Sequence, residues 1–259
     1  NIPKTAAISK EIHLFRKQLH HAEYGFLNPQ NTQTQPAENE VLITPLVGCG
    51  FGKGLRKNAL NQAIMALIAS AKQELVLFTP YFNPPGAILR ALDKRLKEGC
   101  RVMIVIGDKT ANDFYLSPSE DFKTIGALPY LYEANLRRFC QKQQKWMENA
   151  QLNIHLWREG ENTFHLKGLL VDEKTSLLTG HNINPRAWRL DLENGLLVSD
   201  PHGLLVKTHQ AELAQILQNT TRLNSFNELE TLENYPEPVQ KLLRRLARVK
   251  ADRLVNQIM

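Results

Sequence analysis

The sequence has few cysteines and no long apolar run, and each shortage excludes a class of protein. Three cysteines, Cys49, Cys100 and Cys140, occur among 259 residues, without a Cys-x-x-Cys pair. An odd number of widely separated cysteines favours neither a disulfide framework nor a zinc site. No segment approaches the roughly 20 consecutive apolar residues that a membrane-spanning helix needs, and no secretory leader opens the sequence. We therefore expect a globular protein of a reducing, cytoplasmic compartment that does not cross a bilayer.

Basic residues outnumber acidic ones. The 32 Lys and Arg against 26 Asp and Glu give a formal net charge of +6, and 42% of the residues are hydrophobic, enough for a proper core. An excess of positive charge predicts an anionic partner, which includes nucleic acid, an acidic membrane surface and phosphorylated substrates. The charge alone does not choose among these partners.

Much of this excess lies in residues 236–259, where apolar residues at helical spacing oppose a basic face. One interpretation is a helix that docks on the core and leaves its charged face in water. The other is attraction to an anionic bilayer, at about 1 kcal/mol for each basic residue near the headgroups. The two interpretations are compatible.

Strand-like and helix-like segments alternate through the middle of the sequence. After a predicted helix over residues 8–27 and a polar loop, the order β-α-β-α-β indicates a layered α/β domain whose central strands are parallel. A long helix, three further strands in meander order and another strand at 194–200 follow. We predict strands at 41–47, 74–80, 101–108, 152–157, 165–172, 175–180 and 194–200.

These segments predict the fold class and the domain limits. We expect an α/β protein with a mixed, mostly parallel sheet flanked by helices. Residues 1–40 form an N-terminal helix and linker, residues 41–204 form the catalytic domain, and residues 205–259 form a helical, basic C-terminal segment.

The segment "HLKGLLVD", residues 165–172, carries the chemistry. Residues two apart in a strand project from the same face, so His165 and Lys167 point the same way and Asp172 closes the strand. An imidazole can attack phosphorus or transfer a proton near neutral pH, and a neighbouring ammonium offsets the charge of phosphate oxygens. Asp172 can hold the lysine or the local turn. This chemistry requires no metal or cofactor, and taken alone His165 is equally well explained as a core histidine.

The residues after Asp172 extend this pattern. "TGHN" follows six residues later, and "INPRAWRLDLEN" comes next. The stretch resembles the phospholipase D superfamily, whose signature is His-x-Lys-x4-Asp-x6-Gly-Ser-x-Asn followed about eleven residues later by Glu. The resemblance assigns His165, Lys167, Asp172 and Glu193 to catalysis, and Lys167 and Asn182 to phosphate binding.

One departure from the signature is Thr179-Gly180 in place of Gly-Ser, which removes a hydroxyl. Asn182 keeps an amide donor for the phosphate. We expect Glu193 to accept a hydrogen bond from the histidine and so fix its tautomer.

Longer motifs resemble one branch of this superfamily, the bacterial phosphatidylserine synthases. They are "TPLVG", "TPYFN", "GDKTANDFY", "IGALPYLYEANLRRF", "HLKG" and "TGHNINPRAWRLDLEN". The resemblance implies transfer of a phosphatidyl group from CDP-diacylglycerol to L-serine through a phosphatidyl-histidine intermediate, with release of CMP. It also implies a peripheral location at the inner face of the cell membrane and association with ribosomes.

Such a double displacement uses two histidines, one as nucleophile and one as acid and base. His165 is the single histidine of this sequence with a Lys two positions on. The second His-x-Lys motif is expected in an upstream half of the chain or in another subunit of a symmetric dimer. The upstream half is favoured, and the position of His165 in the second motif favours its role as acid and base.

A second set of polar residues follows the strand at 101–108. In "GDKTANDFY", Asp108, Lys109 and Asn112 are predicted to bind serine or the cytidine headgroup, together with Asp113 and Tyr115. The alternative is a capped turn.

Two other functions fit the sequence. One is a phospholipase D-type phosphodiesterase, a lipase or a nuclease, that uses water and completes its site as a dimer. The other is a non-catalytic module that binds anionic lipid or nucleic acid through charge alone.

Overall fold

A computed structural model describes residues 39–50, 58–117 and 120–248. The predicted helix over residues 8–27 and the basic residues beyond 248 lie outside this part of the chain. Eight strands form one sheet in the order β1-β7-β6-β5-β2-β3-β4-β8. They are β1 Leu42–Val47, β2 Glu74–Thr79, β3 Arg101–Gly107, β4 Leu152–Trp157, β5 Gly168–Val171, β6 Thr175–Thr179, β7 Asn194–Ser199 and β8 Thr220–Leu223.

Six α-helices accompany the sheet in the described residues. They are α1 Ala59–Ser70, α2 Gly86–Lys97, α3 Leu128–Glu148, α4 Pro185–Arg189, α5 Val206–Leu217 and α6 Glu237–Arg248. The mixed α/β class with flanking helices is confirmed, and so is the parallel pairing of the central strands, β2 with β3 and β3 with β4.

The prediction that the sheet is mostly parallel is wrong. Among the described strands, β5 pairs with β2, β6 with β5, β7 with β6, β1 with β7 and β8 with β4, all antiparallel. The connection between β5 and β6, residues 172–174, is too short for a parallel crossover and allows only antiparallel neighbours.

One face of the sheet holds the core. On α1, Leu60, Ile64 and Ile68 recur every four residues and have no exposed surface. On α2, Ile88 and Leu92 are also four residues apart and have no exposed surface. Each side chain of this size contributes about 1.5 to 3 kcal/mol when it is fully buried, so this helical layer fixes the sheet against which the site is built.

The opposite face of the sheet is covered less completely. Helix α5 runs along it, and none of the residues of α5 is buried. Leu178 of β6, Leu196 of β7 and Ile43 of β1 are exposed on the same face, at 49%, 47% and 59%.

The segment beyond residue 204 is not entirely helical. Strand β8 lies within it and pairs with β4, so the sheet crosses the predicted boundary at residue 204. Helix α6 packs through Val239 against Tyr130 and Tyr235. Among the described helices, none combines the length and apolar character that a bilayer-spanning segment needs.

Candidate active site

His165 and Lys167 lie in an extended segment that leads into β5, which begins at Gly168 rather than at residue 165. The backbone pairing with β6 continues one step beyond the strand, because the Thr179 amide donates to the Lys167 carbonyl at 3.3 Å. The end of β6 therefore lies beside the two predicted catalytic residues. The segment after β6 carries Asn182, and Glu193 directly precedes β7.

His165 contacts a carboxylate. Its Nε2 lies 2.8 Å from Oδ1 of Asp113. Burial raises the pKa of Asp113, but hydrogen bonds from Tyr81 and His165 outweigh this effect and hold the pKa below its usual value. An ionised carboxylate only accepts hydrogen bonds, so Nε2 of His165 carries the hydrogen.

Lys167 is influenced by two carboxylates. Its Nζ donates to the backbone carbonyl of His165 at 2.8 Å. Burial lowers the pKa of Lys167, while the nearby carboxylates of Glu193 and Asp113 oppose that shift. The ammonium is thus held at the backbone of His165 within the electrostatic influence of two carboxylates, and as a fixed cation it can offset the charge of a phosphate oxygen.

Asn182 supplies an amide with unused capacity. Its backbone carbonyl accepts a hydrogen bond from Oγ1 of Thr79 at 2.8 Å, which ties the segment after β6 to the end of β2. Its side-chain Oδ1 is buried and has no partner among the described residues. Buried polar atoms are usually paired, so this oxygen is open to an N–H or O–H donor of a ligand, whereas only the NH2 group of the same side chain can donate to a phosphate oxygen.

Glu193 is close to Lys167, although it does not take the role predicted for it. Burial raises the pKa of Glu193, Asp191 adds to the shift, and Lys167 and Arg186 oppose it. We expected Glu193 to accept the hydrogen bond of His165. In the structure the partner of His165 is Asp113, so that prediction is wrong for the described residues.

Asp172 does not belong to the site. It lies at the other end of β5, about five residues of extended chain, or roughly 16 Å, from Lys167. Its carboxylate accepts from the backbone amides of Lys72, Gln73 and Glu74 at 3.0, 2.8 and 2.8 Å. The catalytic assignment is contradicted by this placement, and the structural alternative, a carboxylate that holds the local turn, describes it.

Of the five residues predicted to bind substrate after β3, three are engaged within the protein: Asp108, Lys109 and Asn112. Asp108 Oδ1 accepts from the backbone amide and the hydroxyl of Thr110 at 2.8 and 2.7 Å. Asn112 is buried, and its Oδ1 accepts from the amide of Phe114 at 3.0 Å. Both side chains stabilise the turn, as the alternative interpretation of this segment holds.

Lys109 points away from the reaction centre into a cluster of its own. Its Nζ lies 3.1 Å from Glu133 and 2.5 Å from Glu230, over the rings of Tyr130 and Tyr235. All three predicted residues line a small cavity against α3, but their polar groups are already paired there. Their assignment to substrate binding is therefore not supported by the geometry.

The residue that sequence reasoning missed is Tyr81. Its hydroxyl donates to Oδ2 of Asp113, and its ring stacks on Tyr132 with centroids 5.3 Å apart. A signal existed, because Tyr81 follows the carboxyl end of β2 in "TPYFN", where α/β proteins place functional groups. The structure thus brings together His165, Lys167, Asn182 and Glu193. It places Asp113, one of the predicted binding residues, against His165, and it adds Tyr81.

Comparison with known proteins agrees with this geometry. The sequence model of the family described as "Cardiolipin synthase, PLD-like domain" matches residues 64–219. A CDP-diacylglycerol–serine O-phosphatidyltransferase of Haemophilus influenzae is 48% identical over the whole chain, and one of Escherichia coli is 45% identical. The crystal structure of the Haemophilus influenzae phosphatidylserine synthase superposes with a TM-score of 0.84 at 46% identity, over all of this chain and 56% of that one.

The chain spans 55% of the length of both of these curated relatives. Residues 64–219, which the family model matches, make up more than half of the 259 residues of this chain. The matched region contains every residue that the structure gathers at the site, from Tyr81 to Glu193. The chain therefore belongs to the phospholipase D-like family.

Proposed function

We propose that this chain supplies one half of the active site of a CDP-diacylglycerol–serine O-phosphatidyltransferase. The observation that carries the proposal is the meeting of His165 and Lys167 at one end of β5, with Asn182 and Glu193 beside them. The match of the whole chain with 55% of two curated enzymes of this name supports the substrate assignment.

The reaction is a double displacement at the phosphorus of the phosphatidyl group. A histidine nitrogen attacks this phosphorus, the bond to the CMP oxygen breaks, and CMP leaves with a proton from the second histidine. The serine hydroxyl oxygen then attacks the phosphorus of the phosphatidyl-histidine. The phosphorus–nitrogen bond breaks, and the serine proton passes to the second histidine, which restores both groups.

His165 is the acid and base in this scheme. Its Nε2 carries a hydrogen directed at the Asp113 carboxylate, so this nitrogen begins as a proton donor and not as a free nucleophile. Lys167 and the Asn182 amide hold the non-bridging phosphate oxygens, where the negative charge grows during each displacement. The nucleophilic histidine comes from a second His-x-Lys motif, in an upstream half of the polypeptide or in another subunit.

The lipid substrate places the enzyme at a membrane surface. The exposed basic residues of α6 and the net charge of +6 support peripheral binding to an anionic bilayer. Location at the inner face of the cell membrane and association with ribosomes stay predictions from the family resemblance.

The experiment compares the native polypeptide with its His165→Asn variant on CDP-diacylglycerol in detergent micelles. We expect serine-dependent CMP release from the unchanged protein, and a decrease of about 10²- to 10⁴-fold in the variant. If CMP release does not depend on serine, or if the protein cleaves phosphatidylcholine or DNA instead of CDP-diacylglycerol, the protein is a hydrolytic phosphodiesterase and the proposal is overturned. Retained lipid binding in the inactive variant separates catalysis from adhesion.

A further inference from the structure

The carboxylate of Asp113 can accept more hydrogen bonds than its contacts within the protein provide. Hydrogen bonds from Tyr81, Thr163 and His165 stabilise its charged form. A carboxylate offers about four acceptor positions. The side chain of Asp113 is 34% exposed and that of His165 is 54% exposed, so both face open space at the site.

The position of this carboxylate matches the shape of an amino alcohol. The acceptor hydroxyl must reach Nε2 of His165, and Oδ1 of Asp113 lies 2.8 Å from that nitrogen. In serine the ammonium and the hydroxyl sit on neighbouring carbons, about 3 Å apart in a gauche rotamer. A serine whose hydroxyl contacts His165 can thus place its ammonium on Asp113.

The fixed orientation of Asp113 suits recognition. Tyr81 holds Oδ2, and Tyr81 is itself stacked on the buried ring of Tyr132. A charged acceptor that is already oriented forms stronger hydrogen bonds to a cation than a mobile one. Lys167 is a cation and repels an ammonium. The carboxylate of Glu193 faces the positive charges of Lys167 and Arg186, so Asp113, which contacts His165, is the carboxylate placed to receive an ammonium.

We infer that Asp113 is the specificity-determining residue for the acceptor, where its carboxylate binds the ammonium of serine while His165 handles the hydroxyl. This inference rests on the proposed function. Water, the competing acceptor, has no ammonium and gains nothing from Asp113. The carboxylate therefore favours transfer to serine over hydrolysis.

The test is the Asp113→Asn variant of the native polypeptide, since the amide oxygen still accepts hydrogen bonds while the charge is lost. CMP release from CDP-diacylglycerol is measured with varied serine and, separately, without serine. We expect the KM for serine to rise about tenfold or more, because a charge-assisted hydrogen bond is lost. Serine-independent CMP release reports the effect of the variant on His165, which Asp113 contacts, and it should fall by a clearly smaller factor than serine-dependent release at low serine.

Two further variants complete the design. Tyr81→Phe frees the carboxylate without removing it and should raise the KM for serine by a smaller factor, which keeps the test valid if Asp113→Asn does not fold. Asp93→Asn removes a surface carboxylate that pairs with Lys97 on α2 and should change neither reaction.

The possible failures are distinct. An unchanged KM for serine in Asp113→Asn overturns the inference alone. Equal loss of transfer and hydrolysis, with a displaced pH profile, would make Asp113 a positioning residue for His165 and would also overturn it. An unchanged protein that shows no serine-dependent reaction at all removes the proposed function together with the inference.

Discussion

Glycine at position 180 makes room for a carboxylate. A Cβ atom at this position would lie 2.6 Å from Oε2 of Glu193. Serine stands here in the superfamily signature, so glycine lacks both the Cβ atom and the hydroxyl and leaves space that the Glu193 carboxylate occupies.

This contact predicts the effect of Gly180→Ala. The added methyl group displaces the Glu193 carboxylate, and with it the charge beside Lys167, so turnover should fall roughly 10- to 100-fold. The unfolding midpoint in urea should change little, because the displaced atom is the end of a flexible side chain. Gly86→Ala, whose Cβ meets Arg90 at 3.3 Å, is the matched control and should keep full activity. A Gly180→Ala protein with unchanged turnover would show that the position of Glu193 is immaterial.

Residues of the site differ in how well the sequence revealed them. His165 and Lys167 were predictable because two-residue spacing before an apolar run is a local pattern. Asp113 reaches His165 across 52 residues, and Tyr81 reaches Asp113 across 32. Contacts of this kind depend on how the strands are arranged, which no local spacing encodes.

Strand and helix positions followed from periodicity, whereas strand pairing did not. The apolar runs gave β1 to β4 within about one residue, because buried strands and amphipathic helices have distinct periods. Strand β8 was missed since "TTRL" at the sheet edge has one buried residue and no alternation. The antiparallel junction of β5 with β2 follows from the route of the chain, and it sets where Asp172 comes to lie.

The side chain of Asp172 joins the end of β5 to the start of β2. We therefore expect its replacement to lower the stability of the protein and to leave the catalytic reaction intact. Asp172→Ala removes three amide contacts and places alanine at φ +49°, in the left-handed region. We expect the free energy of unfolding to fall by about 2 kcal/mol, since hydrogen bonds to charged groups contribute roughly 1.5 to 3 kcal/mol each and this site is partly exposed.

The same junction predicts a pH dependence. The backbone amides outweigh burial, which acts the other way, and lower the pKa of Asp172, so its stabilisation is present above the unfolded value near 3.9 and is lost as the pH falls below it. Urea titrations at pH 7 and pH 3 should show Asp172→Ala differing from the unchanged protein mainly at pH 7, with Asp172→Asn between them. A variant of full stability without turnover would return Asp172 to the catalytic residues.

At the scale of the whole molecule, the sheet has one filled face and one open face. Helices α1, α2 and α3 bury the first, while Leu178, Leu196 and Ile43 stay exposed on the second. The site lies at the end of these same strands and holds one histidine of the two that a double displacement uses.

The composition indicated an anionic partner but did not show where on the molecule that partner would bind. The structure puts four exposed basic residues of α6, Lys241, Arg244, Arg245 and Arg248, on one short helix.

This placement predicts binding to anionic membranes through α6. Helix α6 docks through Val239, so its charged side is free to meet a surface, and basic residues near lipid headgroups contribute about 1 kcal/mol each. Co-sedimentation with phosphatidylglycerol vesicles should weaken markedly from 50 to 500 mM salt, as the Debye length shortens from about 14 to 4 Å. Replacing Arg244, Arg245 and Arg248 by Gln should weaken it further, whereas replacing Lys94 and Lys97 on α2 should not. Phosphatidylcholine vesicles and duplex DNA serve as the comparison. Equal binding to both kinds of vesicle and to DNA, or stronger binding to DNA, would contradict a membrane role for this helix.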